Sequence, residues 1–199
     1  MKIKVLALSL FMVFSLCSCT FASTGVTTDS LNLRDEYGDL ICVIPAGEMV
    51  YVDNYYDSSR VNVIWGGLEG NVLSEYIIQD DDFIYVNMDN QRIYLYIDSE
   101  LICNGHTVTG LAGADRETPK GVFYIQYMDT ELQLGNEYYV EYWFSFYGDY
   151  GIHDADNWRC DYGGDIYLYD GLHGCVNIPN WLAQIIYDYS YIGMPVIIN

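Results

Sequence analysis

The sequence predicts a mainly β chain built of two blocks, with a single helix near its C-terminus. Three observations predict this. Tyr, Val and Ile dominate and alternate with polar residues, the period of half-buried strands. Gly, Asn and Asp recur between these runs as turn residues. One stretch, Trp181 to Tyr189, has helical spacing, with Leu182, Ile185, Ile186 and Tyr189 at i, i+3, i+4 and i+7 and Asn180 at the N-cap.

Taken in order, residues 1–22 read as an export signal. Lys2 and Lys4 precede an apolar run from Val5 to Leu16 that is too short to span a bilayer. Two exits are open. Leu16-Cys17-Ser18-Cys19 resembles a lipobox, which would leave Cys19 lipidated, whereas Thr20-Phe21-Ala22 suits cleavage before Ser23. Either exit puts the mature protein outside the cytoplasmic membrane, secreted or lipid-anchored. No later run reaches the ~20 apolar residues of a membrane span.

The first block, 25–78, holds strand-like runs at Leu31-Asn32-Leu33-Arg34, Val50 to Val52 and Val61 to Trp65, and closes with Gly70-Asn71-Val72 and Tyr76-Ile77. This order resembles the bacterial Src-homology-3-like domain, a small barrel of short strands. The resemblance implies a module that binds wall peptide or orients an attached enzyme. Gln79-Asp80-Asp81-Asp82 follows, a like-charge run that reads as a linker.

The second block, 83–199, opens with a hairpin from Phe83 to Ile97 around Asp89-Asn90. Strands are expected near Leu101 to Cys103, Thr107 to Gly110, Val122 to Tyr127 and Tyr138 to Tyr147. The helix and a closing strand at Val196 to Ile198 complete the block.

The formal net charge is −20, and removal of Lys2 and Lys4 makes it more negative still. Nothing would neutralise phosphates, so nucleic acid is excluded as a partner. Four cysteines remain beyond the signal. Cys42 and Cys103 lie in apolar strand-like runs, where a thiol behaves as a small hydrophobe, and Cys160 lies in a loop. Cys175 sits instead in a Gly- and His-containing turn, where a reactive thiol is expected.

The strongest local pattern is Gly151-Ile152-His153-Asp154 followed by Leu172-His173-Gly174-Cys175-Val176-Asn177, with eighteen residues separating His153 from Leu172. Acyl transfer through a cysteine needs a nearby imidazole and amide donors for the oxyanion. Gly174 allows a tight turn beside Cys175. The block resembles the L,D-transpeptidase catalytic domain, whose motif is a histidine, a spacer and Ser/Thr-His-Gly-Cys-hydrophobic-Asn/Arg. Further agreement lies in Asn90-Gln91-Arg92-Ile93-Tyr94, Thr109-Gly110, and Glu117-Thr118-Pro119-Lys120-Gly121-Val122-Phe123.

The resemblance implies a mixed β-sandwich or barrel acting on peptidoglycan stem peptides. We expect a monomer, with neither cofactor nor metal. It implies Cys175 as nucleophile, His153 as general base, His173 and Gly174 in the oxyanion loop, and Asn177 facing substrate. We expect His153 to lower the Cys175 pKa, and either the Asp154 side chain or a backbone carbonyl to orient the imidazole. Leu172 departs from the motif's Ser/Thr, and the long spacer carries Trp158 and Cys160.

Three other readings compete. Papain-like wall endopeptidases place the cysteine before the histidine, and here the order is reversed. A zinc hydrolase would use His106, His153 and His173, but no paired ligand spacing is present. A non-catalytic wall-binding surface protein on a decayed enzyme domain is the alternative of a different class, and an intact His153/Cys175 pair argues against it.

Overall fold

The computed structural model describes residues 23–113, 115–135, 138–171 and 173–199. The export signal with its Cys19 lipobox, and Leu172, lie outside the described residues. Among the described residues no helix is long and apolar enough to cross a membrane.

The first block forms one antiparallel sheet of seven strands: β1 (Ser23–Thr27), β2 (Leu31–Arg34), β3 (Leu40–Ile44), β4 (Met49–Tyr55), β5 (Arg60–Trp65), β6 (Leu68–Leu73) and β7 (Ile77–Ile78). Their order is β3-β2-β6-β5-β4-β1-β7. Alternation does what the sequence predicts. Leu31, Leu33, Val50, Val52, Val61, Val63 and Val72 point one way and pack with Ile44 into a small core. Gly66 and Gly67, at φ 57° and 80°, make the two-residue turn between β5 and β6, a conformation open to glycine at little cost.

The second block holds two sheets. The first has the order β10-β9-β8-β16-β11, made of β8 (Phe83–Asn87), β9 (Arg92–Ile97), β10 (Glu100–His106), β11 (Gly121–Tyr124) and β16 (Pro195–Ile198). The second runs β12-β13-β14-β15, made of β12 (Tyr127–Leu134), β13 (Tyr138–Tyr147), β14 (Tyr150–Asp154) and β15 (Val176–Ile178). Most pairs are antiparallel, but β16 runs parallel to β8 and β15 parallel to β14. The inner faces meet in one core containing Ile84, Leu95, Phe144, Phe146, Ile152 and Val176.

The helix α1 (Asn180–Tyr189) seats Leu182, Ala183 and Ile186 in that core. Two details differ from the sequence reading. The N-cap is Pro179, so Asn180 lies inside the first turn, where its N–H donates to Asp156 Oδ2 at 3.0 Å. The apolar face turns toward Tyr187, which packs on Tyr142 with centroids 5.4 Å apart, and Tyr189 stays exposed. The stretch Thr107 to Gly110 is not a strand. It makes isolated bridges at Val108 and Gly110, and Val108 pairs with Asn177.

The acidic run is anchored rather than loose. Asp82 Oδ1 accepts the Asp98 N–H at 2.8 Å, and the Asp81 carbonyl accepts the Ser99 N–H at 2.8 Å. Both donors belong to the β9–β10 turn, whose N–H groups have no strand partner to satisfy them. Next to it, Val26 of the first block is buried with Phe83, Tyr85, Tyr96 and Ile197 of the second.

Candidate active site

Parallel pairing of β14 with β15 builds the site. The register sets Ile152 beside Val176 and His153 beside Asn177, so the turn entering β15 delivers Cys175 next to the imidazole strand. On the other side β13 sets Trp143 opposite His153, and the two rings stack at 5.5 Å and 20°. Trp158 covers another side at 5.9 Å. His153 is thereby 1% exposed.

His153 Nδ1 lies 2.8 Å from the Asp154 carbonyl oxygen. A carbonyl only accepts, so Nδ1 carries the proton and Nε2 the lone pair. Of the two orienting groups the sequence left open, the backbone carbonyl is the one used. The Asp154 carboxylate is occupied elsewhere, accepting the N–H groups of Glu141 and Tyr142 at 2.8 Å each.

Asn177 departs from expectation. The sequence predicts that it faces substrate, but its side chain is 0% exposed. Its Nδ2 donates to His153 Nε2 at 3.1 Å, and its Oδ1 has no partner among the described residues. Strand β15 lies between β14 and the Val108 bridge, with Thr107 Oγ1 on the Asn177 carbonyl at 2.8 Å, and this closes the position to solvent.

The turn before β15 depends on glycine. Gly174 has φ 84°, and a Cβ there would lie 2.6 Å from the Tyr150 ring. A Cβ on Gly110 would meet the Arg116 carbonyl oxygen at 2.2 Å and Gly174 N at 2.8 Å. Three backbone segments thus converge beside the thiol. Gly110 is held by its N–H donating to Thr118 Oγ1 at 2.8 Å. Thr109 is held by its N–H donating to the Gln91 side chain at 3.0 Å. Arg159 ties down the spacer by an ion pair to Asp170 at 3.0 Å and a bond to its carbonyl at 2.7 Å.

Cys175, half-buried, opens with His173 onto a cavity of about 550 Å³ walled by Tyr138, Trp143, Tyr150 and Trp158. His173 is exposed. The thiol donates to the Asp149 carbonyl oxygen, 4.0 Å from Sγ. Among the described residues the other three cysteines are free, and burial pushes Cys103 up to about 11. His106 stands on β10 beside Arg92 and takes no part in the cavity.

Electrostatics reverses one expectation. Burial pushes the Cys175 thiol above its ordinary value, with a smaller opposing effect from the Gly151 N–H and a further rise from the Asp149 charge. Burial also lowers His153 to about 4, against the Asp154 carbonyl and with the help of the Arg159 charge. The sequence led us to expect an imidazole that draws the thiol below ~8.5. Both groups have instead lost water, and neither has an ionic partner to stabilise its charge, so both rest neutral. Such a pair can still move a proton, because a neutral imidazole is a competent base once a nucleophile begins to attack.

Sequence reasoning missed Trp143, Asn177's burial, and the Arg159–Asp170 tie. Each depends on which strands become neighbours. Trp158 was visible as an unusual spacer residue without a role.

Comparison with known proteins agrees with this geometry. Residues 81–198 match the YkuD family model, described as the L,D-transpeptidase catalytic domain. The NMR structure of the catalytic domain of an Enterococcus faecium L,D-transpeptidase is similar at a TM-score of 0.54 and 31% identity, covering 61% of this chain and 98% of that one. A crystal structure of an Enterococcus faecium L,D-transpeptidase shares the fold more broadly, with TM-score 0.57, 23% identity, and coverage of 88% and 76%. An L,D-transpeptidase from Mycobacterium smegmatis shares it at TM-score 0.51 and 16% identity over 90% of this chain and 83% of that one. No curated protein matched the chain.

Proposed function

The chain belongs to the L,D-transpeptidase catalytic-domain family, and on that premise we propose that Cys175 is its acyl-accepting nucleophile and His153 the base that serves it. The substrate is a peptidoglycan stem tetrapeptide. Cys175 Sγ adds to the carbonyl carbon of the third residue while its proton passes to His153 Nε2. As the tetrahedral intermediate collapses, the bond to the terminal residue breaks. The imidazolium returns the proton to the leaving nitrogen, and D-alanine departs from a thioester. An amine from a neighbouring stem then attacks the thioester and restores the thiol, giving a cross-link. Water in place of the amine gives a tripeptide.

The parallel register of β14 and β15 carries this reading. It sets a buried imidazole of defined tautomer beside the turn bearing the thiol, at the wall of an aromatic cavity. His173 and Gly174 shape the turn whose N–H groups face the developing oxyanion, the role a left-handed glycine suits. Asn177 serves His153 rather than substrate. In the resting state its Nδ2–H occupies the Nε2 lone pair, and the amide releases that lone pair before the thiol proton passes to it.

We extend the proposal to the rest of the chain. The seven-stranded first block acts as a Src-homology-3-like module that concentrates the enzyme on its polymer. Residues 1–22 export the protein, by cleavage or by lipidation of Cys19. It works outside the cytoplasmic membrane, as a monomer.

Incubating the mature protein with purified disaccharide tetrapeptide tests the reaction. We expect a mass gain on Cys175 equal to the tripeptide acyl group, then a dimer lacking one D-alanine, or free tripeptide if water wins. Consumption of substrate with no adduct on Cys175 would sink the assignment.

A further inference from the structure

The chain has five arginines, and the surroundings of four account for them. Arg34 Nη1 donates to the Gly38 carbonyl at 2.8 Å and Arg60 Nη1 to Asn71 Oδ1 at 2.8 Å. Arg92 bonds Asn104 and lies beside His106, and Arg159 pairs with Asp170. Arg116 has no hydrogen-bond or ion-pair partner among the described residues, and it lines the Cys175 cavity.

Its position is held by backbone. The Arg116 carbonyl oxygen occupies the space where a Gly110 Cβ would sit, and Gly174 abuts the same point. The base of the Arg116 side chain is therefore fixed against the turn that presents Cys175, and the residue is exposed at the cavity. Among the described residues, the other carboxyl or guanidinium groups on that cavity are Asp115 and Asp149. An incoming peptide carboxylate meets two anions at the cavity and a chain of net charge −20 around it. Among the described residues lining the cavity, Arg116 carries the one permanent positive charge, and its fork matches a carboxylate in two parallel bonds.

Resting on the transpeptidase reading above, we propose that Arg116 recognises the free C-terminal carboxylate of the donor peptide and so selects the residue that leaves. The chemistry of the donor favours that carboxylate over another. The leaving residue's carboxyl carbon is joined to the scissile nitrogen through a single Cα. Once the third residue's carbonyl is at Sγ, the terminal carboxylate is therefore tethered close to the thiol. A carboxylate on the third residue's own side chain has many bonds of freedom and is not held there.

The test compares initial rates on the disaccharide tetrapeptide with a free C-terminus and on the same compound ending in a carboxamide. Wild type should prefer the acid by about 10- to 100-fold in kcat/KM, the range of a charge-assisted bond. In Arg116→Gln, the KM for the acid should rise until acid and amide are used about equally, and Arg116→Lys should recover part of the preference. The side chain has no described partner to lose, and circular dichroism checks that the variants are folded.

An unchanged acid preference in Arg116→Gln would overturn the proposal. So would a variant whose altered preference follows lysine against a carboxylated diamino acid at the third position, since that places Arg116 on the side chain instead. If wild type never acylates Cys175 with the acid substrate, the transpeptidase reading fails, and this outcome is distinct from both.

Discussion

Replacing His153 by Gln removes a titrating group whose burial has a measurable consequence for stability. In the folded protein the imidazole is lowered to about 4 by burial between Trp143 and Trp158, whereas in the unfolded chain it titrates near ~6.5. A lowered histidine pKa means that the unfolded state binds more protons throughout that window. Stability is therefore fully present above about pH 6.5 and is lost as pH falls toward the folded value. A tenfold change in proton affinity is worth about 1.4 kcal/mol, so the whole effect is about 3 kcal/mol, of which about 2 kcal/mol has gone by pH ~5. Asp154, raised by its own burial, has a linkage of opposite sign. It is present in both proteins and cancels in the comparison. Urea unfolding at about pH 7 and about pH 5 should show wild type losing about 2 kcal/mol more than His153→Gln between the two. Parallel losses would mean that His153 is not desolvated in the fold and that a neutral resting pair is wrong.

The other expectations concern the thiol and its turn. Cys175→Ala should abolish turnover, while Cys42→Ser, Cys103→Ser and Cys160→Ser should retain it. A carbapenem adduct found by mass spectrometry on any cysteine but Cys175 would refute the assignment. Because burial raises Cys175, its iodoacetamide labelling rate should climb through a midpoint above the ~8.5 of a free thiol, and a midpoint below that value would restore the ion-pair expectation. Gly110→Ala places a methyl 2.2 Å from the Arg116 carbonyl oxygen and 2.8 Å from Gly174 N, and backbone cannot yield as a flexible side chain can. We expect kcat/KM to fall by about 10²-fold or more, the cost of a misplaced catalytic group, with a smaller loss of about 1–3 kcal/mol in stability. A wild-type rate would show that the Gly110 contact does not position the turn.

Much of this molecule can be read from local pattern. Period-two alternation marks the strands of the first block, because one face of each strand must be buried and the other wetted. Helical spacing marks α1 to within a residue at its start, although the apolar face is set by Tyr187 and not Tyr189. His153 and the His173-Gly174-Cys175 turn stand out because glycine and histidine beside a cysteine have chemical meaning whatever their neighbours are. Residue types and spacing thus determined a mainly β chain and a candidate thiol–imidazole pair.

The rest was decided by which segments meet. Strand β15 is three residues long and buried throughout, so alternation could not reveal that Asn177 points at an imidazole and not at substrate. The choice between the Asp154 carboxylate and a backbone carbonyl depended on Glu141 and Tyr142 claiming the carboxylate. Arg116 had no role in the sequence reading and Gly110 was expected in a strand, until the chain brought both against Gly174. The direction in which the thiol and the imidazole each move is likewise non-local. A thiol beside an imidazole reads as an ion pair on paper. In the fold, aromatic residues from other segments exclude the water that would hold those charges apart, and desolvation outweighs the attraction that sequence proximity suggests.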